Sequence, residues 1–477
     1  MPTPIITNTP NTYELANGDV VVSLFDGLTE GTQLAVKIKK GSTTISTLRQ
    51  YPNQSGFYHF NINKILQSQL GLQVNPEGDA SRPIYDANGR TSNGNAGNGP
   101  TPTSVDYLIE YGYIDTAGEF VSTAILADTF VAINGNKKYY QTDWDISNAP
   151  GRYIPLMGNN PGVNANTVLE RQLALTNRNN YPTRTIADIT DGVPSGAISQ
   201  TAVVHDIYIN EGDYYSLGFV NGWTGTPFTG YNGIRQFDCW GFDGNTQLFH
   251  QQIFNLTSTG GGPDSTVFQN NQPEEDYRVL NFKCGYNNAN VAGATDLTHF
   301  YVAACCYLNN TPGSFVSCIE VTDWYRFNIL PCEGKDYSII DVAWINDFGQ
   351  YDYFSFQKRN VETNSIERNE FTAISPSWSS TTVDVDTWDR GKGTFATQVE
   401  ENYTANTRYL NEYDNEYLKH LYRSPSVMVR FEGDTTWTPV VLTSNSWDEK
   451  TPQNQGKRLF QHEISFKTAW NPQIQNG

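Results

Sequence analysis

A chain of 477 residues with 31 Lys and Arg against 50 Asp and Glu carries a formal charge of −19. That balance excludes a surface that tracks a phosphate backbone, because counterion release needs clustered Lys and Arg. A hydrophobic share of 38% with 13% aromatics, and few runs rich in Ala, Leu, Glu and Lys, predict a mainly β chain whose cores draw on Tyr and Phe.

The length suits about two to four domains, and the first is expected over 1–140. Strand-like runs occupy 19–25, 33–39 and 56–60. Asn61 then suits a helix cap, with Ile62, Ile65, Leu66 and Leu70 at helical spacing. The stretch 74–103 is rich in Gly, Asn and Pro without periodicity, and reads as a long exposed loop or a disordered arm. Strands resume at 105–115 and 119–133 and close on the turn Asn134-Gly135-Asn136. This order predicts a β-sandwich with one helix packed on its side. The basic spots Lys37, Lys39, Lys40 and Lys137, Lys138 are short and read as solvated strand ends.

A larger antiparallel β domain is expected over 141–372. Its opening, 148–166, carries Pro150, Gly151, Pro155, Gly158, Pro161 and Gly162, a composition unsuited to long regular elements and suited to an arm that wraps a neighbour. Strands then recur at 202–209, 214–220, 235–242, 247–254, 277–283, 298–308, 315–324, 337–345 and 351–358. That spacing predicts antiparallel sheets in a sandwich or barrel. All six cysteines (Cys239, Cys284, Cys305, Cys306, Cys318, Cys332) fall here. Cys305 and Cys306 are adjacent on a strand and face opposite sides, and no CxxC pair occurs. They read as buried free thiols made in a reducing cytoplasm.

Residues 344–356 are the most informative stretch. Two apolar runs flank a polar turn in which Gly349 supplies positive φ, the pattern of a β-hairpin. The stretch is dense in aromatics (Trp344, Phe348, Tyr351, Tyr353, Phe354, Phe356) and holds no nucleophile and no histidine. It points to packing and contact rather than chemistry.

The last unit, 373–477, begins with a Ser/Thr-rich connector. A helix is expected over 405–422, with Tyr409, Leu410, Tyr413, Tyr417, Leu418 and Leu421 as its apolar stripe and Ser424-Pro425 as its stop. Strands follow at 427–431, 437–442 and 458–469. The expected fold class is therefore mainly β, antiparallel β-sandwich domains with few helices, plus a small C-terminal α+β module.

No constellation for catalysis stands out. His59, His205, His250, His299, His420 and His462 are scattered without HExxH spacing. The glycines 260–262 lack the Lys-Ser/Thr pair of a phosphate loop, and Pro194-Ser195-Gly196 lacks the context of a nucleophile elbow. Asp347 and Asp352 flank the hairpin turn where calcium could bind, but Asn346 and Asp347 read first as turn residues bonded to their own backbone. With 50 acids, carboxylate pairs arise by chance and the sequence selects none. The turns around Tyr214, Trp223 and Tyr231 suit protein contact first and sugar stacking second. No catalytic residue, cofactor or metal site is expected. The candidate interface or packing anchors are Trp344, Phe348, Tyr351, Tyr353, Phe354, Tyr409, Tyr413, Tyr417 and Trp223. The first residues lack the basic and apolar regions of a signal peptide, and no 18-residue apolar window occurs, so no membrane association is expected.

Three blocks occur in a telling order. They are Trp-Ile-Asn-Asp-Phe-Gly-Gln-Tyr-Asp-Tyr-Phe at 344–354, Tyr-Leu-Lys-His-Leu-Tyr-Arg-Ser-Pro-Ser-Val at 417–427, and Thr-Pro-Val-Val-Leu-Thr-Ser-Asn-Ser-Trp-Asp-Glu-Lys-Thr at 438–451 followed by Leu-Phe-Gln-His-Glu-Ile-Ser-Phe. With Gly-Phe-Tyr-His-Phe-Asn-Ile-Asn-Lys-Ile-Leu at 56–66, the chain resembles virion structural proteins of tailed phages infecting Bacteroidota-type hosts, crAss-like phages included. The resemblance spans about half the chain in scattered blocks. It implies a tail, collar or baseplate component in a cyclic homo-oligomer, with other tail, collar or portal-proximal proteins as partners. It further implies synthesis in the host bacterial cytoplasm and release by lysis, and it carries no catalytic residues. A receptor- or glycan-binding protein at the tail tip is the alternative, and a capsule depolymerase a more remote one.

Overall fold

The computed structural model describes residues 4–26, 33–71, 76, 84–86, 103–126, 130–136, 153, 156–160, 165–194, 201–211, 213–221, 224–225, 234, 236–254, 279–285, 296–307, 318–330, 337–372, 381, 392–444 and 460–469. The chain is mainly β, built from several largely antiparallel sheets, with α-helices at Asn63–Ser68 and Glu412–Arg423. It divides into two units: Met1–Glu333 with Ile345–Tyr353, and Gly334–Trp344 with Phe354–Gly477.

The first unit opens with a sandwich. A sheet of Ile5–Asn8, Val21–Phe25 and Phe57–Asn61 shares its core with a sheet ordered Tyr13–Leu15, Phe130–Ile133, Ser104–Ile114, Leu34–Lys40, Thr43–Gln50. Alternate residues meet inside: Val22 and Leu24 from one sheet, Val36, Ile38, Tyr107 and Ile109 from the other. Leu66 of the short helix joins this core. The helix starts at Asn63, and the Asn61 side chain accepts from the Asn63 amide at 3.2 Å.

The rest of the first unit holds a sheet ordered Thr183–Thr185, Val203–Asn210, Trp324–Leu330, His299–Tyr307, Gln236–Asp243, Thr246–Phe254. A smaller sheet joins Ser216–Val220, Val279–Lys283 and Ile84–Asp86. Phe237 and Phe282 stack at 4.3 Å between ring centroids, joining the two sheets through one aromatic contact. Val203–Asn210 and Trp324–Leu330 pair in parallel, as do Tyr13–Leu15 and Phe130–Ile133, a departure from the wholly antiparallel expectation. Such pairs join segments distant in sequence, which hairpin spacing cannot reveal. Of the stretch 74–103, Ile84–Asp86 is a strand rather than loop, held by Val279–Lys283. The irregular opening of the second expected domain contains the paired strands Leu156–Asn160 and Ala165–Glu170. The expected strand over 315–324 is instead Cys318–Glu320 followed by Trp324–Leu330. Cys239, Cys284 and Cys305 are buried free thiols.

The remaining large sheet is ordered Tyr351–Phe356, Ile340–Ile345, Val427–Phe431, Thr438–Leu442, Glu463–Thr468, Lys392–Asn406, Asn360–Thr372. The helix begins at Glu412, not at 405. Ala405 belongs to a strand and pairs with Ile464, while Asn411 caps the helix by accepting from the Asp414 amide at 2.8 Å. The run 399–406 contains Val399 and Thr404, β-branched residues that favour the pleated strand. The cap, rather than the aromatic spacing, fixes where the helix starts. Glu412 and Asp414 in the first turn and His420 and Arg423 in the last complement the helix dipole.

Candidate interaction surface

The predicted aromatic anchors divide by burial. At the hairpin turn Asn346 Oδ1 accepts from the amides of Phe348 at 2.9 Å and Gln350 at 3.1 Å, which fixes the loop. Gly349 has φ of 73°, and a Cβ there would lie 1.8 Å from the Asn134 carbonyl oxygen, so no other residue fits. Phe348 is buried against Tyr153, with ring centroids 4.7 Å apart. Tyr351 and Tyr353 are buried, and Tyr353 Oη donates to the Pro76 carbonyl at 3.0 Å. In the other unit Trp344 and Tyr417 are buried on each other, and Phe354 is half-buried edge-on to Phe356. Each of these side chains packs inside its own unit. Tyr409 and Tyr413 remain 69% and 45% exposed. Tyr409 precedes the helix instead of lying on its stripe. Trp223 lies outside the described residues.

Several titratable groups form hydrogen-bonded clusters. Asp352 is buried and accepts from Thr176 Oγ1 at 2.6 Å and the Asn177 amide at 3.1 Å. Burial pushes its carboxyl up to about 6 against the pull of those hydrogen bonds. Asp206 takes a two-point contact from Arg184 at 2.7 and 2.8 Å and a bond from Asn328 at 2.9 Å. The buried Arg326 reaches Asp191 and lies 3.8 Å from Asp206. Burial drives the Asp191 carboxyl up, but its bond to Arg326 leaves it below the ordinary value. Burial likewise holds the His299 imidazole low, and its Nε2 faces the Gly192 carbonyl at 3.1 Å. Such tied charges fix strand positions, which is a structural use of ionic groups.

The surface that differs from all this is a two-stranded ribbon. Asn360–Thr372 and Lys392–Asn406 pair antiparallel from Asn360↔Ala405 to Thr372↔Lys392, with a bulge at Asn369 and Glu370. Glu463–Thr468 supports the stretch Asn402 to Asn406 of the second strand, and among the described residues the ribbon beyond it has no third strand. Every residue of Asn360–Thr372 after the first is exposed. Ile366, Phe371 and Phe395 are about half exposed, and the two phenylalanine rings face each other at 6.4 Å. Two-stranded ribbons are marginal in water without a further strand or a packed face. Sequence reading assigned no strand to 360–372 and began a Ser/Thr-rich connector at 373, because both faces of the ribbon carry Asn, Thr, Ser and Glu. The signal that was available is the length-matched polar run on either side of 373–391 with an aromatic at each inner end.

No protein-family model matches the chain, and no curated protein matches it. Among solved structures, the chain aligns with one described as "Crystal structure of tetra-tandem repeat in extending region of large adhesion protein". The alignment covers 85% of this chain and 70% of that chain at 10% identity, with a TM-score of 0.19, a level of likeness that carries no functional argument.

Proposed function

We propose that this protein is a structural subunit of a tailed-phage virion, a ring-forming tail, collar or baseplate component that acts by protein–protein contact and performs no catalysis. The observation that carries the contact role is the free-standing ribbon. A strand of 13 residues, exposed after its first, in a ribbon with a half-exposed phenylalanine on each strand near its end, is costly for an isolated molecule and useful in an assembly. The sequence blocks at 344–354, 417–427 and 438–451 support the virion assignment by resemblance. The acidic charge of −19 fits a protein that stands apart from packaged nucleic acid.

The test is immuno-electron microscopy of particles from cells that encode the chain, combined with native mass spectrometry of the purified protein. Label at one fixed ring of the particle, with a closed oligomer in solution or on the particle, is the expected result. A lone monomer absent from every particle overturns the proposal.

A further inference from the structure

Among the strands that end their sheets, two hairpin edges carry opposite charge. Asn360–Thr372 pairs only with Lys392–Asn406, and Thr43–Gln50 pairs only with Leu34–Lys40 among the described residues. Neither strand contains proline, and neither outer edge is covered by a described strand, so bulges and charged side chains are the protections these edges carry.

The two edges differ in charge. The ribbon carries Glu362, Glu367, Glu370, Glu400 and Glu401 against Arg368 and Lys392. The hairpin of Leu34–Lys40 and Thr43–Gln50 carries Lys37, Lys39, Lys40 and Arg49 and no acid. Lys39 is paired with Glu110 at 3.2 Å, and Lys37 sits 4.0 Å above the Phe120 ring. Lys40 and Arg49 are exposed, and among the described residues neither has an ion pair. Lys40 stands level with Thr43 across the turn, so along the open strand it is six positions from Arg49, about 20 Å at ~3.3 Å per residue. On the ribbon Glu362, Glu367 and Glu370 are spread over eight positions of the other open strand, about 26 Å. Apolar material accompanies both edges, with Ile366 on one and the exposed Tyr51 just past the other.

We infer that Asn360–Thr372 of one copy of this chain adds as a strand to Thr43–Gln50 of a second copy, with the glutamates of the ribbon facing the cationic edge that carries Lys40 and Arg49. The inference rests on the reading of the protein as a self-assembling subunit and names the contact. A chain at −19 repels its own copies in general, so association requires a local match of opposite charge. The two surfaces are different, so the contact is heterologous, the kind that propagates and closes into a ring when its rotation allows. Main-chain hydrogen bonds supply the affinity and the opposite charges of the two edges select the partner.

The experiment is sedimentation velocity of the full chain at about 50 mM and about 500 mM salt, a range over which exposed ion pairs are progressively screened. Two variants are compared, Glu362→Lys/Glu367→Lys/Glu370→Lys and Lys40→Glu/Arg49→Glu. All five positions are exposed, so both are expected to keep the wild-type melting curve. The wild type is expected to associate at low salt and to weaken at high salt. Each variant alone is expected to associate about tenfold or more weakly. Mixing the two restores association, because a reversed ribbon then meets a reversed edge. Wild-type oligomers indifferent to both variants overturn this contact and leave the assembly reading intact. A wild-type monomer that still joins particles also overturns it, placing another protein on the ribbon. A monomer that joins no particle overturns both.

Discussion

The Trp344 indole and the Tyr417 ring lie with centroids 5.0 Å apart, tilted at 59°, and both side chains are buried. One comes from a strand and the other from the helix of the same unit, so this contact fixes the helix on the sheet. Leu418 and Leu421 extend the same buried face.

Tyr417→Ala is therefore expected to destabilise the second unit by about 3–5 kcal/mol, the usual cost of removing a buried aromatic. Tyr409→Ala, at an exposed position before the helix, is expected to change stability by less than about 0.5 kcal/mol. Urea denaturation followed by tryptophan fluorescence measures both. Equal effects from the two substitutions would contradict the placement of Tyr417 inside and Tyr409 outside.

Much of the fold was legible because it follows local rules. The turn at 346–350 needed one glycine with positive φ and an Asn that caps its own loop, and the sequence displays both. The sandwich of 4–136 follows from alternation in Val21–Phe25, Leu34–Lys40 and Ser104–Ile114, where every second residue enters one core. What stayed hidden depends on distant partners. Ile340–Ile345 pairs with Val427–Phe431, and Val203–Asn210 with Trp324–Leu330; no turn signal joins such segments. The helix start was misplaced because Tyr409 keeps helical spacing with Tyr413 and Tyr417 although Asn411 begins the helix after it. The ribbon, the best candidate surface, was missed for the reverse reason. It is regular structure without an apolar face, and periodicity reads faces.

Asp352 gives a pH test. Its pKa in the folded chain is raised to about 6 by burial, above the ordinary value of about 3.9 expected once the chain unfolds. The folded state thus holds the proton more tightly, and between these values it binds more protons than the unfolded chain. This carboxyl's contribution to stability is greatest below about 4 and declines as pH rises through about 6, after which it is constant. Asp352→Asn keeps a carbonyl oxygen for Thr176 and Asn177 but cannot ionise. The stability of the Asn variant relative to wild type is expected to rise between about pH 4 and pH 6.5. Chemical denaturation at a series of pH values reads it, and a difference that stays flat across the series refutes the assignment.

Phe371 and Phe395 separate folding from assembly. Both are about half exposed, and the ring of each has the other as its aromatic neighbour among the described residues. Gly393 lies beside them, where a Cβ would come within 2.7 Å of the Phe371 ring, so the backbone approaches that ring closely. An exposed pair contributes little to the isolated chain, and the double variant Phe371→Ser/Phe395→Ser is expected to shift its stability by less than about 1 kcal/mol. In an assembly the same rings become desolvated, and truncating an aromatic anchor at the centre of a contact costs about 2 kcal/mol or more. The double variant is therefore expected to melt like the wild type yet enter particles poorly in a competition with it. If instead the melting temperature collapses, the rings are packing elements of the ribbon. If incorporation is unchanged, the ribbon end faces solvent in the assembly and the anchoring contact lies elsewhere.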